Sequence, residues 1–443
     1  MVVRRTRRAW YKSEWVTAKE TKVPRSRLGR LSGLAKVGLR AGVDLLRPSD
    51  SDAAAKHAAD VLGRLRGLAA KVGQMASYVD GLVPEAQREH YETALRGLRA
   101  AAPHSAANEV VALIESELGA PLAQLFAEFD AEPIASASIG QVHRARLQDG
   151  REVAVKVQHP GIEHAIDADL ANAAMLERLA SLFGPAAFDS RRLYSELSGR
   201  IREELDYRLE AERQLQFARL HAADSAICVP EVIATHSANR VLTSELVRGQ
   251  SLEWAATQPE AVRASYASVM WRYVMRGNLI GGLFNADPHP GNYLFRDDGS
   301  IAFLDYGCVQ PIRGERLRAV RRLHLAARNR DEAAFRDVCT QILGTHGGSY
   351  EAAALAHSRM TMEPLFASPY RMQREFVTRL VKNVFSLSDQ LKNKDGSFQQ
   401  PPEGILFMNR LQCGFYSVLA RLDCEVDYAQ VEQQLLDSAG LLE

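Results

Sequence analysis

The sequence has no uninterrupted apolar run of about 18 residues, the length that a membrane-spanning helix needs, so a spanning segment is not expected. Its N-terminus also lacks the charged-then-apolar pattern of a signal peptide. The five cysteines are scattered without a C-x-x-C pair, which argues against a disulfide framework or a zinc site and favours free thiols in a reducing compartment. A net charge of +1 gives no indication of a nucleic-acid partner, and none is expected. These absences together predict a cytoplasmic protein.

The charge that is present is distributed unevenly. Residues 1–40 contain 12 Lys and Arg against two acidic residues, and large aliphatic residues recur there near helical spacing. A basic amphipathic helix of this kind can lie peripherally on an anionic membrane surface. A basic tail that docks on the acidic body of the protein explains the same pattern, and both interpretations stay open. A nucleic-acid-binding arm is disfavoured because no recognition motif follows it.

Composition and residue patterns predict an α+β protein, in which a small β-rich lobe precedes a larger helical lobe. The content of 46% hydrophobic and 25% charged residues is that of an ordinary globular protein. The chain divides into a basic leader, a helical extension, the small lobe with a helical insert, the helical lobe and a terminal helical segment, at residues 1–50, 51–127, 128–248, 249–392 and 393–443.

Local patterns place strands and helices within these segments. A β pattern runs from Pro133 to Gln158, with a hairpin turn at Asp149-Gly150. The remaining segments are strand-like at 229–247 and 301–305, and helical at 162–183, 190–220, 313–330 and 405–443.

Two features of the small lobe are typical of a phosphate-binding site. Ala135–Gly140 is a turn of small residues between predicted strands, where backbone N–H groups can approach phosphates closely. In Val153-Ala-Val-Lys156 the valines share one face of a strand and Lys156 points to the other, from which a lysine can pair with α- and β-phosphates. A tight hairpin and an ordinary strand with a solvated lysine would explain each feature taken alone.

Two features of the helical lobe complete the pattern. Asp287-Pro-His-Pro-Gly-Asn292 has the D-x-x-x-x-N spacing of kinase catalytic loops, in which the aspartate orients a hydroxyl and the asparagine holds a metal ion. Leu304-Asp305-Tyr306-Gly307 follows an apolar strand, as the metal-binding Asp-Phe-Gly element of kinases does. A proline-rich turn would explain the first of these alone. The four features in this order predict a nucleotide-phosphate site.

In these residues the chain resembles the UbiB/AarF family of atypical, protein-kinase-like kinases associated with quinone biology. The resemblance covers residues 30–390 and includes Lys71-Val-Gly-Gln74, which is similar to the family's K-x-G-Q motif. Glu204-Leu-Asp206 matches its E-x-D motif, with Glu210 following in the same predicted helix, and the Ala-rich loop matches its replacement for a Gly-rich loop. The resemblance implies a protein-kinase-like bilobal fold whose N-terminal helical extension caps the cleft.

The resemblance also implies roles for individual residues. Asp287, Lys156 and Glu210 would be catalytic, with Asp287 as the candidate base and Glu210 paired to Lys156. Asn292 and Asp305 would bind Mg²⁺ or Mn²⁺. ATP or ADP would contact Ala135, Ser136, Ala137, Ser138, Ile139, Gly140, Val142, Lys156, Glu245 and Leu246.

A regulatory motif over the cleft is implied in the same way, formed by Lys71 and Gln74 with Glu204 and Asp206. Helical spacing alone places Glu203, Asp206 and Glu210 on one face and Glu204 about 100° away from it. The role of Glu204 is therefore a family assignment and does not follow from spacing.

The sequence after Gly307 indicates which class of molecule would accept the phosphoryl group. A basic helical pattern begins soon after it, without the A-P-E-type anchor of a protein-kinase activation segment, so a peptide substrate is not expected. The resemblance implies an ATPase or small-molecule kinase with a lipid or quinone-precursor ligand. A non-catalytic, nucleotide-sensing scaffold that binds lipid is the alternative. His143 and His289 are further candidates for catalysis, but the loop position of His289 favours a structural role in which its ring hydrogen-bonds the backbone.

Overall fold

The computed structural model describes residues 105–136, 139–170, 190–285, 289–390, 397–399, 402 and 404–440. The basic leader, most of the predicted helical extension and much of the predicted insert lie outside these residues, and the segment boundaries stay predictions. Within the described ranges a small β-rich lobe precedes a larger helical lobe, which confirms the α+β fold class.

The strands are short, and most of them pair with neighbours that are close in sequence. They are β1 Phe126–Phe129, β2 Ala135–Ser136, β3 Gly140–Leu147, β4 Glu152–Gln158, β5 Ile227–Cys228, β6 Val241–Glu245, β7 Leu283–Asn285, β8 Tyr293–Phe295, β9 Ile301–Phe303, β10 Val309–Pro311, β11 Tyr370–Arg371 and β12 Glu425–Val426.

Helices make up most of the larger lobe and flank the sheet of the smaller one. They are α1 Ala107–Leu118, α2 Leu122–Leu125, α3 Ile162–Leu170, α4 Ser190–Glu204, α5 Tyr207–His221, α6 Leu252–Ala256, α7 Glu260–Met275, α8 Gly314–Arg328, α9 Glu332–Leu343, α10 Gly348–Thr361, α11 Glu363–Phe366, α12 Arg374–Gln390, α13 Ile405–Leu422 and α14 Tyr428–Ser438. No helix in the described ranges is both long and apolar enough to cross a membrane. The five cysteines all lie in the described ranges, and none of them forms a disulfide.

The sheet of the small lobe is antiparallel, with strand order β1-β3-β4-β6 and β2 paired to β3. Gly150 has φ +91° in the β3–β4 turn, a left-handed conformation that suits glycine, and the predicted hairpin is confirmed. Val153, Val155 and Val157 are fully buried in the core that β4 forms with α1. Because side chains alternate along a strand, this burial directs Lys156 to the opposite face.

The prediction of one continuous helix over 190–220 is wrong. Helix α4 ends at Glu204, and Asp206 is extended, with φ −108° and ψ 92°. The Asp206 carboxylate accepts hydrogen bonds from the backbone N–H groups of Arg208 and Leu209, so it caps the start of α5. Glu204 and Glu210 therefore belong to two helices that meet at a corner.

Three further expectations differ from the structure. Phe126–Phe129 forms strand β1, although its first two residues fall in the predicted helical extension. Residues 229–235 form only an isolated antiparallel bridge to β6, between Val232 and Ser244, because a 3₁₀ turn follows at Ala234–His236. The terminal helical segment is divided into α13 and α14, and Asp423, with φ 41°, turns the chain between them.

Two small sheets of the helical lobe position the loops that face the small lobe. Strand β9 pairs antiparallel with β8 and parallel with β5, while β10 pairs with β7. The lobe core packs around Trp271, which stacks near Phe415 and Tyr416. Asp305 lies two residues after the end of β9, so this core holds its backbone in place.

Candidate active site

Lys156 and Glu210 form the central ion pair of the site. Lys156 extends from β4, and its Nζ lies 2.6 Å from Glu210 Oε1 and 2.9 Å from Oε2. The Glu210 carboxyl is 3% exposed and the Lys156 side chain 23%, so the pair is largely shielded from water. The structure thus brings together two residues that the sequence separates by 54 positions.

Asp305 completes a cluster of opposite charges around Lys156. Its Oδ2 lies 3.6 Å from Lys156 Nζ, and its Oδ1 accepts a 2.8 Å hydrogen bond from the backbone N–H of Gly307. The Asn285 side chain donates to the Asp305 carbonyl at 3.1 Å. Contacts to backbone and side chain together fix the carboxylate at the edge of the cleft.

The electrostatics of this cluster favour a charged lysine. Burial by itself would lower the pKa of Lys156, but the Asp305 and Glu210 carboxylates outweigh it and raise that pKa well above its usual value. The ring of Tyr207 lies 5.1 Å from the ammonium. Burial raises the pKa of the Tyr207 hydroxyl, so this group is neutral.

The Ala-rich loop lies where β2 meets β3. Ala135 and Ser136 pair with Val142 and Gln141, and Val142 pairs in turn with Lys156. Val142 and Lys156 are cross-strand partners and therefore share one face of the sheet. Ala137 and Ser138 lie outside the described residues, and Ile139 is buried at the end of the loop.

Gly140 is packed so closely that a side chain would not fit. A Cβ at this position would lie 2.5 Å from Tyr207 Oη and 2.6 Å from the Val157 carbonyl oxygen. In the described part of the chain, the hydroxyls of Ser136 and Tyr207 are buried without a hydrogen-bond partner. Two unsatisfied hydroxyls therefore flank the base of the loop, and each carries a desolvation cost.

Glu245 and Leu246 lie where the small lobe joins the helical lobe. Glu245 ends β6, and the Leu246 N–H donates to the Glu152 carbonyl at 3.1 Å. Gly249 packs so tightly that a Cβ would lie 2.8 Å from Leu294 Cβ. The connector is thus held against β8 of the helical lobe.

Asn292 ends a 3₁₀ turn over Pro290–Asn292. His289 Nδ1 accepts a 3.0 Å hydrogen bond from the Gly291 N–H, in line with the structural role expected for this histidine. The Asn292 carbonyl accepts from the Leu304 N–H at 3.1 Å, which ties this turn to the segment that carries Asp305.

Asp287 lies outside the described residues. No group of three or more His, Cys, Asp or Glu in the described ranges is arranged to hold a metal ion.

The E-x-D residues lie at the corner between α4 and α5. Glu204 Cγ is 4.0 Å from the position that a Cβ on Gly307 would take, so Glu204 reaches the segment that follows Asp305. Asp206 instead caps α5 with its carboxylate. Their predicted partners, Lys71 and Gln74, lie outside the described residues.

Sequence reasoning missed two side chains at this site, Tyr207 and Arg213, and it named Glu203 for its helical spacing without giving it a role. Tyr207 begins α5 and packs against Gly140, and Arg213 lies one turn beyond Glu210. Helical spacing of three from Glu210 could have directed attention to Arg213. His143, which is fully buried, contacts the Asp130 carbonyl and Gln141, and these contacts agree with a structural role.

Comparisons with known proteins agree with this geometry. A family profile described as ABC1 atypical kinase-like domain matches residues 97–339, more than half of the chain. Atypical kinase coq-8, mitochondrial, of Caenorhabditis elegans is 29% identical over 92% of this chain and 57% of its own length. Atypical kinase COQ8, mitochondrial, of Saccharomyces cerevisiae is 26% identical over 95% of this chain and 86% of its own length.

A solved structure supports the same assignment. The Rv3197–erythromycin complex from Mycobacterium tuberculosis is 26% identical, with a TM-score of 0.58, and the match covers 94% of this chain and 100% of that one. The chain spans 57% of the worm protein and less than half of several bacterial and plant relatives. The profile match, the relatives and the shared fold confirm the resemblance seen in the motifs, and the chain belongs to the ABC1 family of atypical, kinase-like proteins.

Proposed function

We propose that the chain binds a Mg²⁺–adenine nucleotide between its lobes and acts as an ATPase or as a kinase of a small or lipid-like acceptor. The observation that carries this proposal is the position of Lys156. Its ammonium contacts Glu210 and lies 3.6 Å from the Asp305 carboxylate. Phosphoryl-transfer sites place a lysine and a metal-binding aspartate together in this way.

The polar groups around Lys156 suit a metal-bound nucleotide. Ser136 Oγ, in the Ala-rich loop, is a buried hydroxyl that lacks a hydrogen-bond partner within the described ranges. A phosphate oxygen is an acceptor that would satisfy it. Asp305 supplies carboxylate oxygens and Asn292 an amide oxygen, and Mg²⁺ prefers oxygen ligands. When bound, the metal would neutralise charge on the phosphates.

Each residue has a separate task in this proposal. Lys156, oriented by Glu210, would pair with the phosphates. Asp305 and Asn292 would hold the metal, and Asp287 would orient the acceptor hydroxyl or accept its proton. The backbone of the connector after β6 would face adenine.

We infer a small or lipid-like acceptor from the segment after Asp305. Strand β10 begins at Val309 and α8 at Gly314, so regular structure resumes within a few residues of the metal loop. A protein kinase uses a longer activation segment in this region. Similarity to the COQ8 proteins supports a role in isoprenoid-quinone metabolism. The cytoplasmic location stays a prediction.

Mg²⁺-dependent nucleotide binding tests the proposal directly. Asp305→Asn should abolish the Mg²⁺-dependent stabilisation by ATP, which is about 2.7 kcal/mol when the nucleotide is at about 100 times its Kd. Asp297→Asn, at an exposed aspartate in the β8–β9 turn, is the matched control and should keep the full stabilisation. An undiminished Mg²⁺–ATP shift in Asp305→Asn would refute the assignment of the metal to Asp305.

Phosphate release separates the enzyme from a nucleotide-sensing scaffold. We expect steady-state release from ATP that falls to background in Asp305→Asn. The assay is repeated with anionic liposomes and with a quinone-precursor mimic. Binding of Mg²⁺–ATP without release under any of these conditions would favour the scaffold.

We propose that the basic leader makes the membrane contact. Each basic residue near an anionic surface contributes about 1 kcal/mol, and salt screens this attraction. Deletion of residues 1–40 should therefore reduce co-sedimentation with anionic liposomes, and added salt should reduce it for the intact chain. Equal, salt-insensitive sedimentation of both forms would favour a tail that docks on the protein.

A further inference from the structure

Two arginines from the α4–α5 corner hold the segment that follows Asp305. Arg213 Nη1 donates to the Gly307 carbonyl at 2.9 Å, and Arg200 Nη1 donates to the Val309 carbonyl at 3.1 Å. Both guanidinium groups also contact Glu203 Oε2, at 2.6 Å and 3.0 Å. The Glu203 carboxylate thus orients both arginines toward the backbone of the segment that follows Asp305.

The contact of Arg213 is connected directly to the Asp305 carboxylate. The Gly307 residue is held on both sides, since its carbonyl accepts from Arg213 and its N–H donates to Asp305 Oδ1 at 2.8 Å. Arg213 is 6% exposed, and a charge-assisted hydrogen bond in such a setting is stronger than a neutral one. Loss of Arg213 would leave the Gly307 carbonyl without this donor. The Gly307 backbone could then rotate, and its N–H would no longer be held in the orientation that donates to Asp305.

Helix α5 carries both halves of this arrangement. Glu210 and Arg213 lie one turn apart, so the helix presents a carboxylate to Lys156 and a guanidinium to Gly307. Glu203 lies in the last turn of α4, next to the E-x-D corner. A movement of this corner would therefore change the contacts of Lys156 and of the segment after Asp305 at the same time.

We propose that Arg213 and Glu203 are positioning residues that set the affinity of Asp305 for its divalent cation. This inference rests on the proposed function. Removal of a group that hydrogen-bonds to a metal ligand and orients it typically lowers the metal affinity by about 10- to 100-fold. Arg213 acts through Gly307 and not through a contact with the metal or the nucleotide.

The experiment uses the full chain with two variants of Arg213. Arg213→Met removes the charge at similar length, while Glu203 keeps its partner Arg200. Arg213→Lys keeps the charge and can still donate to one acceptor. Arg272→Met, which breaks a partly buried ion pair with Asp224 in the helical lobe, is the control for general destabilisation.

Three measurements report on different parts of the inference. Mg²⁺ is titrated at saturating, non-hydrolysable ATP analogue, and the affinity for the metal-free analogue is measured separately. Amide hydrogen exchange of residues 305–310 is followed in the ligand-free protein. We expect Arg213→Met to weaken Mg²⁺ binding by about 10-fold or more. Metal-free nucleotide affinity should stay unchanged, and exchange at 305–310 should become faster.

Arg213→Lys should recover part of both effects, and Arg272→Met should show neither. Equal loss of metal and nucleotide affinity, or unchanged exchange at 305–310, would overturn the inference. If the parent shows no Mg²⁺-dependent binding of the analogue, the proposed function fails, and the role in metal affinity fails with it. If the parent binds normally and Arg213→Met matches it, only the positioning role is refuted.

Discussion

The ammonium of Lys156 contacts both oxygens of the Glu210 carboxylate, at 2.6 and 2.9 Å. Lys156 is on a central strand of the small lobe and Glu210 on α5, so the pair fixes this helix against the sheet. The same ammonium lies 3.6 Å from Asp305 Oδ2 of the helical lobe. One cation therefore balances two carboxylates from different parts of the fold.

We predict unequal costs for the two ways of breaking this pair. Lys156→Met leaves Glu210 and Asp305 without their shared cation, and removal of one partner of a buried pair costs about 3–5 kcal/mol. Glu210→Gln should cost less, because Lys156 keeps Asp305. The double variant should be less destabilised than the sum of the single variants. Urea unfolding of the three variants and the parent measures the free energies and the coupling between the two sites.

The exposed pair Arg318–Glu315 provides the control for this cycle. Glu315→Gln should leave the free energy of unfolding nearly unchanged, because exposed ion pairs contribute little. Additive costs for Lys156→Met and Glu210→Gln would show that the contact between them does not contribute to stability.

Much of the small lobe could be predicted because its determinants are local. The alternation of Val153, Val155 and Val157 gives the buried face of β4, and Asp149-Gly150 gives the hairpin. The order of the four motifs pointed to the kinase-like fold that the structure and the comparisons confirm, and the nucleotide site itself stays a prediction. Local signals of this kind depend on side-chain periodicity and turn conformation, which a sequence displays directly.

The α4–α5 corner could not be predicted in the same way. Glu203, Asp206 and Glu210 have helical spacing, yet the Asp206 side chain caps a new helix and breaks the series. Aspartate can act as an N-cap or as an ordinary helical residue, and its tertiary surroundings decide between them. The contact of Arg213 with Gly307 joins residues 94 positions apart, and no local pattern predicts such a contact.

A second prediction concerns the close packing of Gly140. Gly140→Ala should destabilise the protein by about 1–3 kcal/mol, because a Cβ would overlap both Tyr207 Oη and the Val157 carbonyl. Adding Tyr207→Phe should restore only part of the loss, since the backbone carbonyl remains. Thermal and urea unfolding provide the measurement.

Gly199 is the matched control for this substitution. It lies within α4 with nothing within 4 Å of a Cβ, so Gly199→Ala should stabilise the helix by about 0.5–1 kcal/mol. Equal effects of the two glycine substitutions would show that Gly140 has room for a methyl group, contrary to the packing described.

The last prediction concerns His221, at the end of α5. Its ring stacks on Phe217 and Tyr273, and in the described part of the chain neither ring nitrogen has a hydrogen-bond partner. Burial, reinforced by the nearby Arg276, lowers the pKa of His221 to about 3, although the Asp224 carboxylate opposes the shift. His221 is therefore neutral in the folded protein through the mildly acidic range.

The sign of the pH dependence follows from this shift. The unfolded chain protonates His221 below about pH 6.5, whereas the folded protein does so only near pH 3. Between these values the unfolded state binds one more proton than the folded state. The free energy of unfolding therefore decreases as the pH is lowered, by up to about 1.4 kcal/mol per pH unit. His221→Phe keeps the ring stacking and removes the titrating group. Between pH 7 and pH 4.5 the decrease in its free energy of unfolding should be smaller than that of the parent by on the order of 2 kcal/mol. An unchanged pH dependence in His221→Phe would contradict the shift.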